Sequence, residues 1–233
     1  DLGAGFPLGD FPNPSPSLSG LELTYSKGPT TIGGAFLKVG KGLDFVGSAQ
    51  LSTKAFNLSA LGGYDANGIN PSFFLYAIYK KALGGPSFFY VTGLAGGLGI
   101  NRKLTIPEED EIDQFPLIKV AVDDSANPGK DELLSSLSNY IPSSPGSFWA
   151  AIGVRFTSFK LLESFVLLTL SLGEKFAINM LGVSTLKIGD FIYARLLLKA
   201  SFLPEQGFLG IDGRLASNSY VFQKSCKLSG GFA

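Results

Sequence analysis

The sequence predicts an all-β protein, a strongly curved antiparallel sheet forming a sandwich or an incomplete barrel, with one short helix. Three observations predict it. Runs of Phe, Leu, Val, Ile, Tyr and Thr recur along the chain, divided by Gly, Asn, Asp or Pro about every 8–12 residues. Several runs alternate apolar and polar residues, the period of a strand with one buried face. Charged residues make up only 16% of the chain, against about 25% in an ordinary soluble domain, so little of the surface is highly polar.

Residues 1–20 are rich in Gly, Pro and Ser. Pro12, Pro14 and Pro16 alternate there and favour an extended arm. Residues 21–233 read as a single all-β domain with a loop-plus-helix insertion at about 105–146. Strands are expected over 21–26, 31–39, 43–52, 56–64, 72–80 and 87–100. Lys27-Gly28-Pro29, Gly40-Lys41-Gly42 and Leu83-Gly84-Gly85-Pro86 supply turns between them.

From Thr105 to Ile118 the prolines Pro107 and Pro116 and a run of acids predict a long loop. Asp123 to Lys130 is a second polar loop. Asp131 to Tyr140 is the expected helix: Leu133, Leu134 and Leu137 share one face, two acids open its first turn, and Pro142 follows it. A helix this short packs on a sheet or plugs an opening. Strands resume over 147–159, 161–172, 175–183, 191–202, 208–215 and 220–228.

The strand at 191–202 has one apolar face, Ile192 to Phe202 through the even positions. Its other face includes Arg195, Lys199 and Ser201. The strand at 72–80 is apolar on both faces, so it is covered on both sides or lines a cavity. A transmembrane β-barrel suits the strand lengths, but a two-sided apolar strand fits it poorly, because a lumen face is polar.

The composition excludes several chemistries. There is no His and one Cys, Cys226. Ser-His-Asp and Cys-His catalysis within the chain, a Cys/His zinc site and an internal disulfide are therefore excluded. Nineteen basic and nineteen acidic residues balance to zero, without the positive footprint that nucleic acid demands. The longest apolar run, Phe165 to Leu172, is far below the roughly 18 residues of a transmembrane helix. No basic-then-apolar leader opens the chain and no polar tail closes it, so it reads as part of a longer polypeptide.

Several stretches carry a resemblance: Phe148 to Phe156 (FWAAIGVRF), Leu181-Gly182, Leu215 to Tyr220 (LASNSY), and Cys226 to Ala233 (CKLSGGFA). Tyr90 to Arg102 (YVTGLAGGLGINR), leading to Leu104 and Pro107, extends it. Over Phe73 to Ala233 the chain resembles the domain of unknown function 6603, found in large fungal and bacterial proteins. The resemblance implies a β-rich module and transfers no catalytic residue.

Candidate sites follow from the side chains. Glu108, Glu109, Asp110, Glu111 and Asp113 form the densest charge, a candidate calcium site or acid–base pair, with a solvated loop as the plain alternative. Asp123, Ser125 and Asn127 have calcium-loop spacing. However, Pro128 stands where the turn glycine belongs and Leu134 where the bidentate Glu belongs, so turn formation and helix capping explain these residues better. Gly93, Gly96, Gly97 and Gly99 precede no helix, so they read as curvature rather than a phosphate loop, and no cofactor is expected. Ser184 and Lys187 match a serine–lysine spacing that lacks its companion motifs. Asn57 heads a glycosylation sequon, and Cys226 reads as a small apolar residue near a strand end. The doublets Phe73-Phe74 and Phe88-Phe89 lie on facing arms of one hairpin. Each sends one ring to each face, as core packing or as an apolar ligand or partner surface.

The leading functional expectation is a non-enzymatic β-rich binding or structural, self-assembling module of a larger protein. Its partners would be other β-rich chains or the rest of the polypeptide, and not nucleic acid. A second reading is a carrier enclosing a lipid-like apolar ligand in the curled sheet. A third is a carboxylate-based hydrolase using residues 108–113.

Overall fold

The computed structural model describes residues 2–5, 15–18, 20–38, 44–66, 70–123, 131–173 and 175–233. Residues 2–5, 15–18, 20 and 131 are described by backbone alone. Strands β1 (Leu2–Gly5) and β2 (Ser15–Leu18) pair antiparallel as a separate two-stranded sheet. The remaining arm residues lie outside the described residues.

The fold is one antiparallel sheet of 13 strands that does not close. Its long strands are β3 (Gly20–Lys27), β4 (Thr30–Lys38), β5 (Asp44–Ser52), β6 (Asn57–Asp65), β7 (Ser72–Gly84) and β8 (Tyr90–Arg102), then β9 (Ser143–Ser158), β10 (Leu162–Leu172), β11 (Ala177–Ile188), β12 (Ile192–Leu203) and β13 (Phe208–Leu215). Short strands β14 (Tyr220–Val221) and β15 (Gly231–Phe232) add to β12 and β13. The long strands pair with their sequence neighbours throughout.

Two turns show how the chain reverses. Gly28, at φ 58°, takes the left-handed conformation between β3 and β4. Between β9 and β10, Phe159 and Lys160 both lie in that region, at φ 53° and 58°. The Leu161 N–H closes this turn onto Ser158 O at 3.0 Å.

The β8–β9 connection carries the helical insertion. Its neck is tied by Lys103 N–H to Pro142 O (3.1 Å) and Thr105 N–H to Tyr140 O (2.8 Å). Inside it are a 3-10 turn (Glu109–Gln114) and helices α1 (Pro116–Val122) and α2 (Asp131–Tyr140). Helix α2 lies where the leucine spacing places it, with Leu133, Leu134 and Leu137 buried.

Helix α1 corrects two expectations, a loop over 105–118 and a single helix. Pro116 occupies the start of α1, where its missing N–H costs no bond. Leu117, Ile118, Val120 and Ala121 are all buried, so tertiary packing overrides their short, β-branched pattern. Residues 124–130, most of the second polar loop, lie outside the described residues.

The insertion covers one face of the sheet, and among the described residues no second sheet packs on that face. The 3-10 turn touches β11, β12 and β13, helix α1 touches β7 and β10, and α2 touches β4 and β5. From β4 to β13 a flat sheet would measure about 43 Å. Three helical segments in mutual contact cover only about 30 Å, so the sheet bends around them.

Arg102 on β8 reaches Asp44 on β5 at 3.2 Å, across strands that a flat sheet would hold about 14 Å apart. On this concave face Val46, Leu61, Phe74, Tyr76, Trp149, Phe165, Leu181 and Leu197 join the buried helix residues in one core.

Candidate functional site

The Phe doublets are not brought together. Phe73 and Phe74 begin β7, whereas Phe88 and Phe89 sit in the β7–β8 turn at the other end of that strand. The second doublet is therefore not on a facing arm, because β8 starts only at Tyr90. Phe74 is 1% exposed and packs on Trp149 inside the curve; Phe73 is 38% exposed on the opposite face. Phe88 and Phe89 are both exposed at the tip.

The acid cluster separates. Glu108 accepts from Lys199 Nζ at 3.2 Å, Asp113 lies 3.9 Å from Arg195, and Asp110 lies 3.9 Å from Arg214. These pairs fasten the 3-10 turn to β12 and β13. Glu109 and Glu111 join no ion pair among the described residues. The charge of Glu111 helps burial raise the Tyr140 phenol above its usual pKa, burial being the larger cause. No three His, Cys, Asp or Glu side chains converge as a metal site among the described residues.

The other candidates also separate. Ser184 points outward and bonds Ser164 at 2.8 Å, while Lys187, three residues on, belongs to the inner register. Gly97 and Gly99 face inward beneath the Tyr76 and Trp149 rings, and Gly96 faces outward. Ser125 and Asn127 lie outside the described residues. Asn57 is exposed at the start of β6. Cys226 is exposed in a turn, because the strand expected over 220–228 ends at Val221.

A cavity of about 270 Å³ opens between the insertion and the sheet. Asp113, Gln114 and Lys119 line one side; Arg155, Glu163, Thr185, Tyr193 and Arg195 line the other. Its charges partner one another: Arg155 lies 3.8 Å from Glu163, Arg195 is 3.9 Å from Asp113, and Lys119 donates to Gln114 at 3.4 Å. A second cavity, about 260 Å³, lies beside Leu104, Ile106, Phe148 and Leu172. Both fall below the roughly 300 Å³ at which small-molecule sites begin. Two other hollows exceed it: about 730 Å³ beside Asp110, Asp113, Leu197 and Arg214, and about 630 Å³ against Leu21, Leu23, Tyr25 and Phe36 at the β3–β5 end of the outer face.

The outer face is the largest unpartnered feature. Side chains in register across an antiparallel sheet share a face, so the pairing can be followed from edge to edge. One rung runs Leu21, Phe36, Gly47, Gly62 and Leu75 on the N-terminal side of the β7–β8 seam. It continues through Leu98, Ala150, Leu170, Ile178, Phe202 and Leu209.

The next rung goes from Leu23 through Ala77, Ile152 and Met180 to Ile211. A third goes from Tyr25 through Tyr79, Val166 and Leu198 to Phe232. Every member of these three rungs is apolar or Tyr. They are also open to solvent: Leu23, Ile152 and Leu209 are 64%, 65% and 66% exposed. Below the first rung lies a shorter aromatic-rich one, Phe45, Tyr64, Phe73, Ile100, Phe148 and Leu172. Reading single strands for alternation hides this surface; reading parity across all strands together exposes it.

A family model described as a family of unknown function, DUF6603, matches residues 1–233. The chain belongs to that family. The match takes in the arm and the first four long strands, beyond the Phe73–Ala233 span of the sequence resemblance. No curated protein and no solved structure matches DUF6603's present member.

Proposed function

We propose that this DUF6603 chain is a non-enzymatic binding or structural module, a curved β wall that seats its outer face on an apolar partner. One observation carries the reading: three apolar rungs cross eleven or twelve strands without a side chain that is charged at neutral pH. Ten strand steps by about 20 Å of strand gives an area on the order of 1,000 Å². Contiguous apolar patches on monomeric proteins seldom pass a few hundred Å².

The insertion covers the inner face, the cavity of about 270 Å³ beneath it is lined mainly by polar and charged side chains, and the apolar surplus lies outside the curve, which favours docking over enclosure of an apolar ligand. Glu108, Asp110 and Asp113 pair the insertion with the sheet, which favours a structural role for them over hydrolysis.

The test is light scattering on the purified chain and on Leu75→Asn/Ile152→Asn. The expected result is that the native chain multimerises or carries bound apolar molecules, and that the double variant loses both while melting at the same temperature. A native chain that stays a bare, monodisperse monomer at every concentration and also binds no lipid vesicle overturns the reading.

A further inference from the structure

One rim of the sheet carries a regular basic row, in which Lys187 alone belongs to the inner register of its strand. The odd-numbered long strands run toward this rim, and five of the six, β3, β5, β7, β9 and β11, carry a lysine within three residues of their ends, Lys27, Lys54, Lys81, Lys160 and Lys187, while β13 carries none. The spacing is 27 residues from Lys27 to Lys54, from Lys54 to Lys81, and again from Lys160 to Lys187. The helical insertion accounts for the one longer interval.

All five lysines are exposed, and none is paired with a carboxylate among the described residues. Asp190 is the lone carboxylate of these five turns. Exposed Phe88, Phe89, Phe159 and Phe191 stand among the lysines.

Phe159 and Lys160 form a hairpin tip with both residues left-handed, where Asn-Gly would relieve the strain. Both side chains of the tip stand exposed to solvent.

We propose that the outer face docks on an anionic lipid bilayer, its rungs against hydrocarbon and the lysine rim at the head groups. This rests on the docking-module reading and names its partner. Four features select lipid over a protein surface. The rungs offer no hydrogen-bonding side chain apart from Tyr, whereas protein interfaces carry about one hydrogen bond per 100–200 Å². Hydrocarbon asks for none.

The tyrosines of the face, Tyr25, Tyr79 and Tyr64, fall on its border rungs, as in the aromatic belts of membrane proteins. The four rungs cover about 27 Å of strand, near the roughly 25 Å apolar band of outer-membrane barrels. The face is convex, so a second rigid copy meets it along a line, while a fluid bilayer conforms to it.

Flotation of the full chain with vesicles tests this, using phosphatidylcholine alone and phosphatidylcholine with 30% phosphatidylserine. The expected result is co-flotation with the anionic vesicles that weakens as salt rises. Replacing all five lysines by Ser should weaken binding at least about tenfold, while Leu75→Asn/Ile152→Asn abolishes it. Circular dichroism and melting check that both variants fold.

If the chain floats with neither vesicle type but self-associates through the face, the lipid proposal fails and the docking module stands. If it neither floats nor associates, both fail. Binding that ignores the five lysines overturns the head-group role.

Discussion

The two faces of the sheet are built by alternate residues of the same strands, yet they obey different rules. The inner face is a size-matched mosaic. Phe74 lies between Gly63 and Gly99, and Trp149 lies beside Gly99. A Cβ added to Gly99 would fall 2.1 Å from Trp149 Nε1, and one added to Gly63 would fall 2.3 Å from the Phe74 ring. The outer face has room at the same strand: a Cβ on Gly96 would meet only Ala151 O, at 3.9 Å, although Gly47 and Gly213 sit close to Ala35 O and the Phe232 ring. Along β8, where helices press on a concave surface, each large side chain dictates a small neighbour, and on the opposite face Gly96 is free of that demand.

That contrast can be broken most forcefully at Arg102. Its side chain is buried, donates to Asp44 at 3.2 Å and to Ile141 O at 3.1 Å, and lies 5.7 Å from the centre of the Phe74 ring. Arg102→Ala leaves Asp44 without its cation and α2 without a tie to β8. The expected loss is about 3–5 kcal/mol in urea unfolding. A loss under about 1 kcal/mol would mean the clamp is dispensable.

A matched pair on β8 sharpens the comparison. Gly99→Ala forces the buried indole to move and should cost about 1–3 kcal/mol. Gly96→Ala, on the outer face, should change stability by less than about 1 kcal/mol and in the stabilising direction. Equal effects in melting experiments would erase the difference between the faces.

The smallest effect concerns Tyr76. Its phenol is fully buried without a hydrogen-bond partner, and burial pushes its pKa far above the ordinary value. Above about pH 10 the unfolded chain's tyrosine ionises while the folded phenol keeps its proton. The unfolded state then binds fewer protons, so stability declines as pH rises. Tyr76→Phe should flatten that decline in urea midpoints taken at pH 7 and 10.5. At pH 7 it should leave stability equal or up to about 1 kcal/mol higher.

Much of the architecture was legible because strands and turns are written locally. The runs at 31–39, 43–52, 161–172 and 208–215 and the leucine spacing of α2 all mark real elements. Helix α1 was not legible, since seven residues opening on proline carry too little period to outweigh their β-branched content. The two-sided strand at 72–80 was rightly seen as apolar on both faces, but its sequence could not say that helices cover only one of them.

Phe88 and Phe89 were placed in a strand because aromatic residues signal strands, whereas the turn that holds them extends three residues further. The lysine rim is not legible in the sequence, because its spacing has meaning only where alternate strands end on one side.

Neighbour-only pairing also shapes how this chain can fold. Closing one hairpin brings the next strand within reach of the growing edge, so β3–β8 and β9–β13 can each zip through short loops. The β8–β9 seam is different, because the whole insertion must be bridged before it forms. That seam and the helices beneath it unite two ribbons that are otherwise complete in their pairing. The slow step of folding should therefore lie at the middle of the sheet, with the outer hairpins already assembled on either side.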